Sequence, residues 1–130
     1  MKIIVDTNIF IAVTLNEPER QQILNITTGC SAVAPNLLPY EIGNAVSAMF
    51  KRKQLNSEQA SQCFEYASKI PVQLVEVNIP KALSIALKNN IYAYDAYFLQ
   101  AATQYGYPLL SLDNKMCKVA KELNIEVLEI

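Results

Sequence analysis

The 130-residue sequence predicts an α/β fold, a three-layer sandwich with a four- to five-stranded parallel sheet between two layers of helices. Short apolar runs alternate along the chain with longer segments in which apolar residues recur at helical spacing. Strands that are separated by helices are joined by right-handed crossovers and therefore run parallel. No linker, repeat or low-complexity tract interrupts residues 1–130, so we expect a single domain.

The first half of the chain contains two predicted strands and four predicted helices. The run IIV within residues 2–6 is typical of a strand that is buried on both faces. A short helix is expected from Thr7, and Pro18 favours the start of a second helix. CSAVAP is the next strand, followed by the helical segments NLLPYEIGNAVSAMFKRKQ and NSEQASQCFEYASKI. Asn56 or Ser57 is the expected N-cap of the last of these helices.

The second half continues the alternation of strands and helices. VQLVEV alternates as a strand does, and PKALSIALKNN has helical spacing. YAYDAYFLQAATQYG is a further predicted helix, with Gly106 as its C-cap. YPLLSL is another apolar strand, NKMCKVAKELN a helix and IEVLEI the last predicted strand.

The composition excludes several kinds of function. The chain has no histidine, which removes the commonest general base, the commonest zinc ligand and every Ser-His or Cys-His nucleophile pair. A net charge of −1 gives no overall attraction to nucleic acid, so such binding depends on local patches. The three cysteines are widely spaced and are expected to be reduced core residues. No segment resembles a signal peptide or spans a bilayer, which predicts a cytoplasmic protein without membrane contact.

The positions of four acids predict a functional site. Asp6 and Asp113, two of the three aspartates, end predicted strands. The carboxyl ends of parallel strands meet at one edge of a sheet, and ligands bind there. Glu41 lies near the start of a helix that follows a strand, and Asp95 lies in the first turns of an apolar helix. We therefore expect all four carboxylates at one edge of the sheet.

Each acid also has a structural explanation, as an N-cap for Asp6 and Asp113 or as a first-turn acid for Asp95 and Glu41. Together, however, the four carboxylates repel each other, and these segments offer no buried Arg or Lys to neutralise them. A hard divalent cation that binds through oxygen removes the repulsion. A carboxylate cluster without His or Cys suits Mg²⁺ or Mn²⁺ rather than zinc. The sequence thus predicts that Asp6 is a metal ligand.

Four segments in order resemble the motifs of PIN-domain nucleases. DTN at the end of the first strand is similar to the first motif, and PNLLPYEIGNAV is similar to the second, with Glu41 as its acid. YAYDAYFLQAA resembles the third motif and carries Asp95, while LLSLDNKM resembles the fourth and carries Ser111 and Asp113. The motifs cover nearly the whole chain, whose compact length is similar to that of VapC-type toxins of prokaryotic toxin–antitoxin pairs.

The resemblance implies an endoribonuclease that depends on Mg²⁺ or Mn²⁺, cuts tRNA or ribosomal RNA, forms a homodimer and is blocked by a cognate antitoxin. Hydrolysis by metal-activated water leaves 5′-phosphate and 3′-hydroxyl ends. The acidic quartet that would be catalytic and bind metal is Asp6, Glu41, Asp95 and Asp113. Asn8 and Ser111 match the polar positions that orient carboxylates or water. Some members carry a further acid after the fourth motif where this chain has NKM, so a complete second metal site is not predicted.

Basic and aromatic residues near the acids are candidates for RNA contacts. Lys51, Arg52 and Lys53 end the helix of Glu41, and Lys115 follows Asp113. These residues can hold phosphates, although cations near a helix C-terminus also stabilise the helix dipole, and both interpretations stay open. For Lys115 and the other lysines of its helix, we favour the structural one.

Three tyrosines surround Asp95 and can stack on unpaired bases. On an apolar helix we favour core or dimer packing for Tyr92, Tyr94 and Tyr97, and we expect Tyr94 or Tyr97 to be the more exposed.

Two alternatives remain open. The first is a non-catalytic module that binds RNA or protein through the same fold, which would predict a compromised acid set. The second is a nuclease that acts on DNA, because nothing in the sequence discriminates the 2′-hydroxyl. A phosphatase of the haloacid dehalogenase type needs an Asp where Asn8 stands, and that alternative fails. A receiver domain needs an early acidic pair and a Lys after a late strand, and neither is present.

Overall fold

A computed structural model describes all residues, 1–130, and contains four strands and seven helices. The elements in chain order are β1 (Lys2–Val5), α1 (Thr7–Thr14), α2 (Arg20–Thr27), β2 (Ser31–Pro35), α3 (Leu38–Lys51), α4 (Ser57–Ser68), β3 (Gln73–Val75), α5 (Ile79–Asn89), α6 (Ala93–Tyr105), β4 (Leu109–Leu110) and α7 (Asn114–Glu122).

The four strands form one parallel sheet in the order β3-β2-β1-β4, which confirms the predicted fold class. The chain moves outward from β1 through β2 to β3 and then returns to place β4 on the other side of β1. Right-handed crossovers in these two directions put helices on opposite faces of the sheet. The reversal makes the gap between the ends of β1 and β4 the topological switch point, where ligands bind in open α/β sheets.

The central strands are buried on both faces, as their apolar runs predicted. Ile3 and Ile4 of β1, Val33 of β2 and Leu109 of β4 are almost inaccessible to solvent, and they belong to one continuous core. Helix α6 packs its apolar side chains against β1 and β2. This rigid centre fixes the positions of the strand ends that carry the acids.

The prediction of a fifth strand over IEVLEI was wrong. The C-terminal segment makes a single parallel bridge, between Leu109 and Val127. Both backbone groups of Leu109 are used in it, since its N–H donates to Glu126 O at 2.8 Å and its carbonyl accepts from Leu128 N at 2.9 Å. The ladder ends there because β4 has only two residues before the chain turns away at Ser111.

The structure also decides several smaller expectations. Helix α2 begins at Arg20, two residues after Pro18, so Pro18 lies in the turn before the helix and not in its first turn. Asn56 caps α4 through a capping box with Gln59. All three cysteines are free thiols, but only Cys63 is in the core, and Cys30 and Cys117 are half-buried. No helix combines the length and the apolar character needed to cross a bilayer.

Two glycines, one at a helix end and one inside a helix, provide a matched test of the helix bounds. Gly106 ends α6 in the left-handed conformation (φ 71°), so Gly106→Ala is expected to lower the free energy of unfolding by about 1 kcal/mol. Gly43 lies inside α3 and has open space where the methyl group of an alanine would lie, so Gly43→Ala is expected to raise it by roughly 0.5–1 kcal/mol. Urea denaturation of both variants measures the two values, and equal effects would contradict the placing of Gly106 at a helix end and of Gly43 in a helix interior.

Candidate active site

The ends of β1 and β4 bring the first and last predicted motifs together. The backbone N–H of Asp6 donates to Leu110 O at 3.0 Å, which places Asp6 beside the residue that follows β4, Ser111. Both side chains are buried. The two predicted site residues are therefore held by the sheet itself.

The Asp6 carboxylate accepts three hydrogen bonds. Its Oδ1 accepts from the Thr7 N–H at 2.7 Å and so caps α1, as its structural explanation predicted. Its Oδ2 accepts from Ser111 Oγ at 2.6 Å and from Asn8 Nδ2 at 3.1 Å. Asp6 is thus a structural cap and also a carboxylate fixed in one orientation by its neighbours.

Asn8 and Ser111 connect Asp6 to the fourth motif. Asn8 Oδ1 accepts from the Leu112 N–H at 3.1 Å, and Ser111 Oγ accepts from the Asp113 N–H at 3.0 Å. Asp113 Oδ1 in turn accepts from the Met116 N–H at 3.1 Å and caps α7. These hydrogen bonds position Asp113 relative to Asp6, and they leave the second carboxylate oxygen of Asp113 without a hydrogen bond.

Two helices deliver the remaining acids to the same place. Glu41 lies in the first turn of α3 and Asp95 in the first turn of α6, and both are half-buried. All four predicted acids line one pocket of about 370 Å³ together with Asn8. Ser111 does not line the pocket, but its hydroxyl contacts Asp6 and Asn8.

The acids affect each other electrostatically. The pKa of Asp6 is raised to about 6: burial raises it most, the hydrogen bonds from Ser111 and Thr7 lower it, and the charges of Asp95 and Asp113 raise it. Burial and the charge of Asp95 raise the pKa of Glu41. Burial and the charge of Asp113 raise the pKa of Asp95, and Lys115 partly opposes this. The pocket therefore concentrates negative charge that its own side chains do not neutralise.

The donor set fits a hard divalent cation better than any soft metal. The pocket offers carboxylate and amide oxygens and lacks thiolate and imidazole groups. Thr7, which also lines the pocket, has a buried hydroxyl with no hydrogen-bond partner. However, no group of three or more acidic or thiol side chains is arranged closely enough, as it stands, to hold a metal ion. To bind an ion, the carboxylates would have to move closer together. Repulsion between their like charges opposes this movement unless a cation is bound.

The structure separates the predicted basic contacts. Arg52, the C-cap residue of α3, lines the acidic pocket, whereas Lys51 and Lys53 do not. Lys115 is outside the lining as well, and its Nζ donates to Asn90 O at 3.2 Å.

The three tyrosines also lie outside the pocket lining. Tyr92 is 81% exposed and Tyr94 56% exposed, while Tyr97 is half-buried in an edge-to-face contact with Tyr94. The expectation that Tyr94 or Tyr97 would be the most exposed was therefore wrong, because Tyr92 precedes the first turn of α6 and has no helix beneath it.

Sequence reasoning did not name three polar residues of the pocket as site residues: Thr7, described above, Asn44 and Glu17. Asn44 follows Glu41 by three residues on the same face of α3, and that spacing could have found it. Glu17 reaches the pocket from the connection between α1 and α2. Nothing in its local sequence pointed there, because Glu17 lies outside every helix and strand and reaches the pocket through the tertiary fold.

Comparisons with known proteins agree with this architecture. Residues 3–122 match the family model described as PIN domain. The chain is 24% identical over 123 residues to Ribonuclease VapC3 of Pyrobaculum aerophilum, covering 91% of this chain and 94% of that protein.

Two solved structures share the fold. PAE2754 from Pyrobaculum aerophilum has a TM-score of 0.67 at 18% identity, covering 92% of this chain and 79% of that one. The second is VapBC2 from Rickettsia felis, solved with a DNA fragment from the VapBC2 promoter. It has a TM-score of 0.65 at 13% identity, and the match covers 98% of both chains.

The sheet order and the acidic pocket at its switch point define an α/β domain with a carboxylate site at the carboxyl edge of the strands. Because the family model covers most of the sequence, the chain belongs to the PIN domain family.

Proposed function

We propose that this protein is a metal-dependent endoribonuclease and the toxin of a toxin–antitoxin pair. The observation that carries the proposal is the convergence of Asp6, Glu41, Asp95 and Asp113 on one pocket at the switch point of the sheet. The similarity to a ribonuclease of the VapC type supports it.

The acidic quartet would hold Mg²⁺ or Mn²⁺, as PIN-domain nucleases generally use divalent metal ions. When bound, such an ion lowers the pKa of a coordinated water and offsets charge on a phosphodiester. The raised pKa values of Asp6, Glu41 and Asp95 express the electrostatic cost of this cluster, which a cation would relieve.

The other residues of the network serve the acids. The Ser111 hydroxyl and the Asn8 amide donate to Asp6 Oδ2, and these hydrogen bonds fix the orientation of the carboxylate. Ser111 also accepts from the backbone of Asp113, so one hydroxyl orients two of the four acids. No protein nucleophile is needed, and none of the three free cysteines lines the pocket.

Replacing Ser111 tests this positioning role. Ser111→Ala removes a donor to Asp6 and an acceptor for the Asp113 N–H, so kcat/KM for RNA cleavage is expected to fall roughly 10- to 100-fold. The matched control is Ser68→Ala, which removes a hydroxyl that bonds only the helix backbone. Equal activity of the two variants would contradict the role of Ser111.

The direct test of the proposal is cleavage of end-labelled total tRNA and ribosomal RNA with Mg²⁺ or Mn²⁺. We expect discrete products with 5′-phosphate ends that EDTA abolishes and that an identically prepared Asp6→Asn protein does not produce. A single-stranded DNA of matched length tests the alternative substrate. Intact RNA in every lane, with the folded protein still binding RNA, would favour a non-catalytic module instead.

A protein partner is part of the proposal. A VapBC complex is among the structures that share this fold, which supports a cognate antitoxin. The acidic pocket is chemically suited to basic side chains of such a partner. A nuclease that acts on tRNA or ribosomal RNA would meet these substrates in the cytoplasm, and we place the protein there.

We also propose a homodimer that forms through α5. This helix packs on α6 through Ala82 and Ala86. On its other side, Ile79 is 59% exposed, Leu83 48% and Leu87 75%. These three residues are four apart and form an apolar stripe that a second copy of the chain would cover.

Leu87→Glu tests the dimer, because it would bury a charge in that interface. Analytical ultracentrifugation is expected to find a dimer of the native protein and a monomer of the variant. Tyr40→Glu, at an equally exposed position on α3, is expected to leave the dimer intact. A monomeric native protein would contradict the proposal.

A further inference from the structure

The acidic pocket extends along one face of α3. Glu41, Asn44, Met49 and Arg52 of this helix all line it. Glu41 and Arg52 are eleven residues apart, which corresponds to about 16 Å of helix. The four acids occupy one end of α3, and Arg52 stands at the other.

Arg52 is the only cationic side chain in the pocket wall. Its side chain is exposed and takes part in neither of the two ion pairs of the protein, which are Lys69–Glu65 and Lys121–Glu129. The Arg52 side chain makes no hydrogen bond, although its backbone N–H caps α3. All donors of its guanidinium are therefore free, in a geometry that matches a phosphate in two-pronged fashion.

A phosphodiester strand that enters this pocket meets the four acids of the quartet at one end and a cation at the other; Glu17, the fifth acid of the lining, forms no ion pair with Arg52. Since the acids repel phosphate unless a metal ion offsets their charge, Arg52 is the one charged side chain of the wall that attracts the strand directly. The distance along α3 separates the phosphate at Arg52 from the phosphate at the acids.

We propose, on the basis of the proposed nuclease function, that Arg52 binds a phosphate of the RNA outside the scissile position and so aligns the strand along α3. The contact is made equally in the ground state and in the transition state. It therefore contributes to substrate binding and leaves the chemical step unchanged.

Two measurements test the proposal. Fluorescence anisotropy with labelled oligouridylate in EDTA reports binding alone, and steady-state cleavage of unfractionated tRNA with Mn²⁺ separates KM from kcat. The variants are Arg52→Ala, Arg52→Lys and the control Lys51→Ala. The control removes the same charge from the adjacent residue, which is outside the pocket.

We expect Arg52→Ala to weaken oligouridylate binding and to raise KM by roughly five- to tenfold, with kcat within about twofold of the native value. The slope of log affinity against log salt should fall by about 0.7. Arg52→Lys should lie in between, and Lys51→Ala should stay close to the native protein.

Equal effects of Arg52→Ala and Lys51→Ala would overturn the proposal, because attraction of RNA to any positive charge on this surface would then explain the binding. A fall in kcat at constant KM would overturn it too. A native protein that binds RNA but never cleaves it would refute the proposed function alone, because the anisotropy comparison does not depend on cleavage.

Discussion

Asp6→Asn is expected to reduce RNA cleavage by on the order of a thousandfold or more. Asp6 is the most deeply buried acid of the quartet, and hydrogen bonds to both of its oxygens fix its orientation. An amide removes the negative charge that a divalent cation needs. It can still accept the bond from the Thr7 N–H, so α1 keeps its cap.

The comparison requires equal folding and a matched acid. Circular dichroism should give the same spectrum for the variant and the native protein. Glu58→Gln, at an exposed acid in the first turn of α4, should retain full cleavage activity. If Asp6→Asn kept activity within tenfold of the native protein, the acid pocket would not be the site of hydrolysis.

The metal-free protein is expected to become more stable as the pH falls from 8 to 5. Burial raises the pKa of Asp6 from 3.8 to about 6 in the folded protein, so the native state binds the proton more tightly than the unfolded state does. Stability therefore falls as the pH rises through 6, and the full penalty above that pH is about 3 kcal/mol. Between pH 8 and pH 5 about half of it is recovered.

Urea denaturation in EDTA at pH 8 and at pH 5 measures this difference. In Asp6→Asn no charge titrates at this position, so its stability should change by about 1.5 kcal/mol less over the same range. Asp95 and Glu41 contribute in the same direction in both proteins, because burial raises their pKa values as well. An identical pH dependence in the two proteins would contradict the assignment of the raised pKa to Asp6.

The sequence predicted the positions of the four acids better than the C-terminal strand. Asp6 and Asp113 could be placed because a buried strand ends at its carboxyl edge, whatever the remainder of the chain does. IEVLEI also alternates as a strand does, yet its pairing depends on how many residues β4 offers, and the turn at Ser111 leaves two. Local pattern therefore identified which edge of the sheet carries the acids, but it could not fix the length of a strand, since YPLLSL was predicted as a strand and β4 has only Leu109 and Leu110.

The basic residues show how far the helical period reaches. Arg52 follows Glu41 by eleven residues, close to three full turns, so the period places Arg52 on the face of Glu41 and places Lys51 and Lys53 off it. Glu17 was unpredictable because it lies between α1 and α2, outside any helix or strand whose period could place it, and it reaches the pocket only through the tertiary fold. Side chains on one helical face, such as Glu41 and Asn44, stay predictable because the helical period fixes them.

Mn²⁺ binding measured by isothermal titration calorimetry at pH 8 tests most directly whether the four acids form a metal site. We expect the native protein and Glu58→Gln to bind Mn²⁺, and we expect Asp6→Asn and Asp95→Asn to lose most of this binding. Equal binding by all four proteins, or no binding by the native protein at millimolar Mn²⁺, would contradict a metal site at these acids.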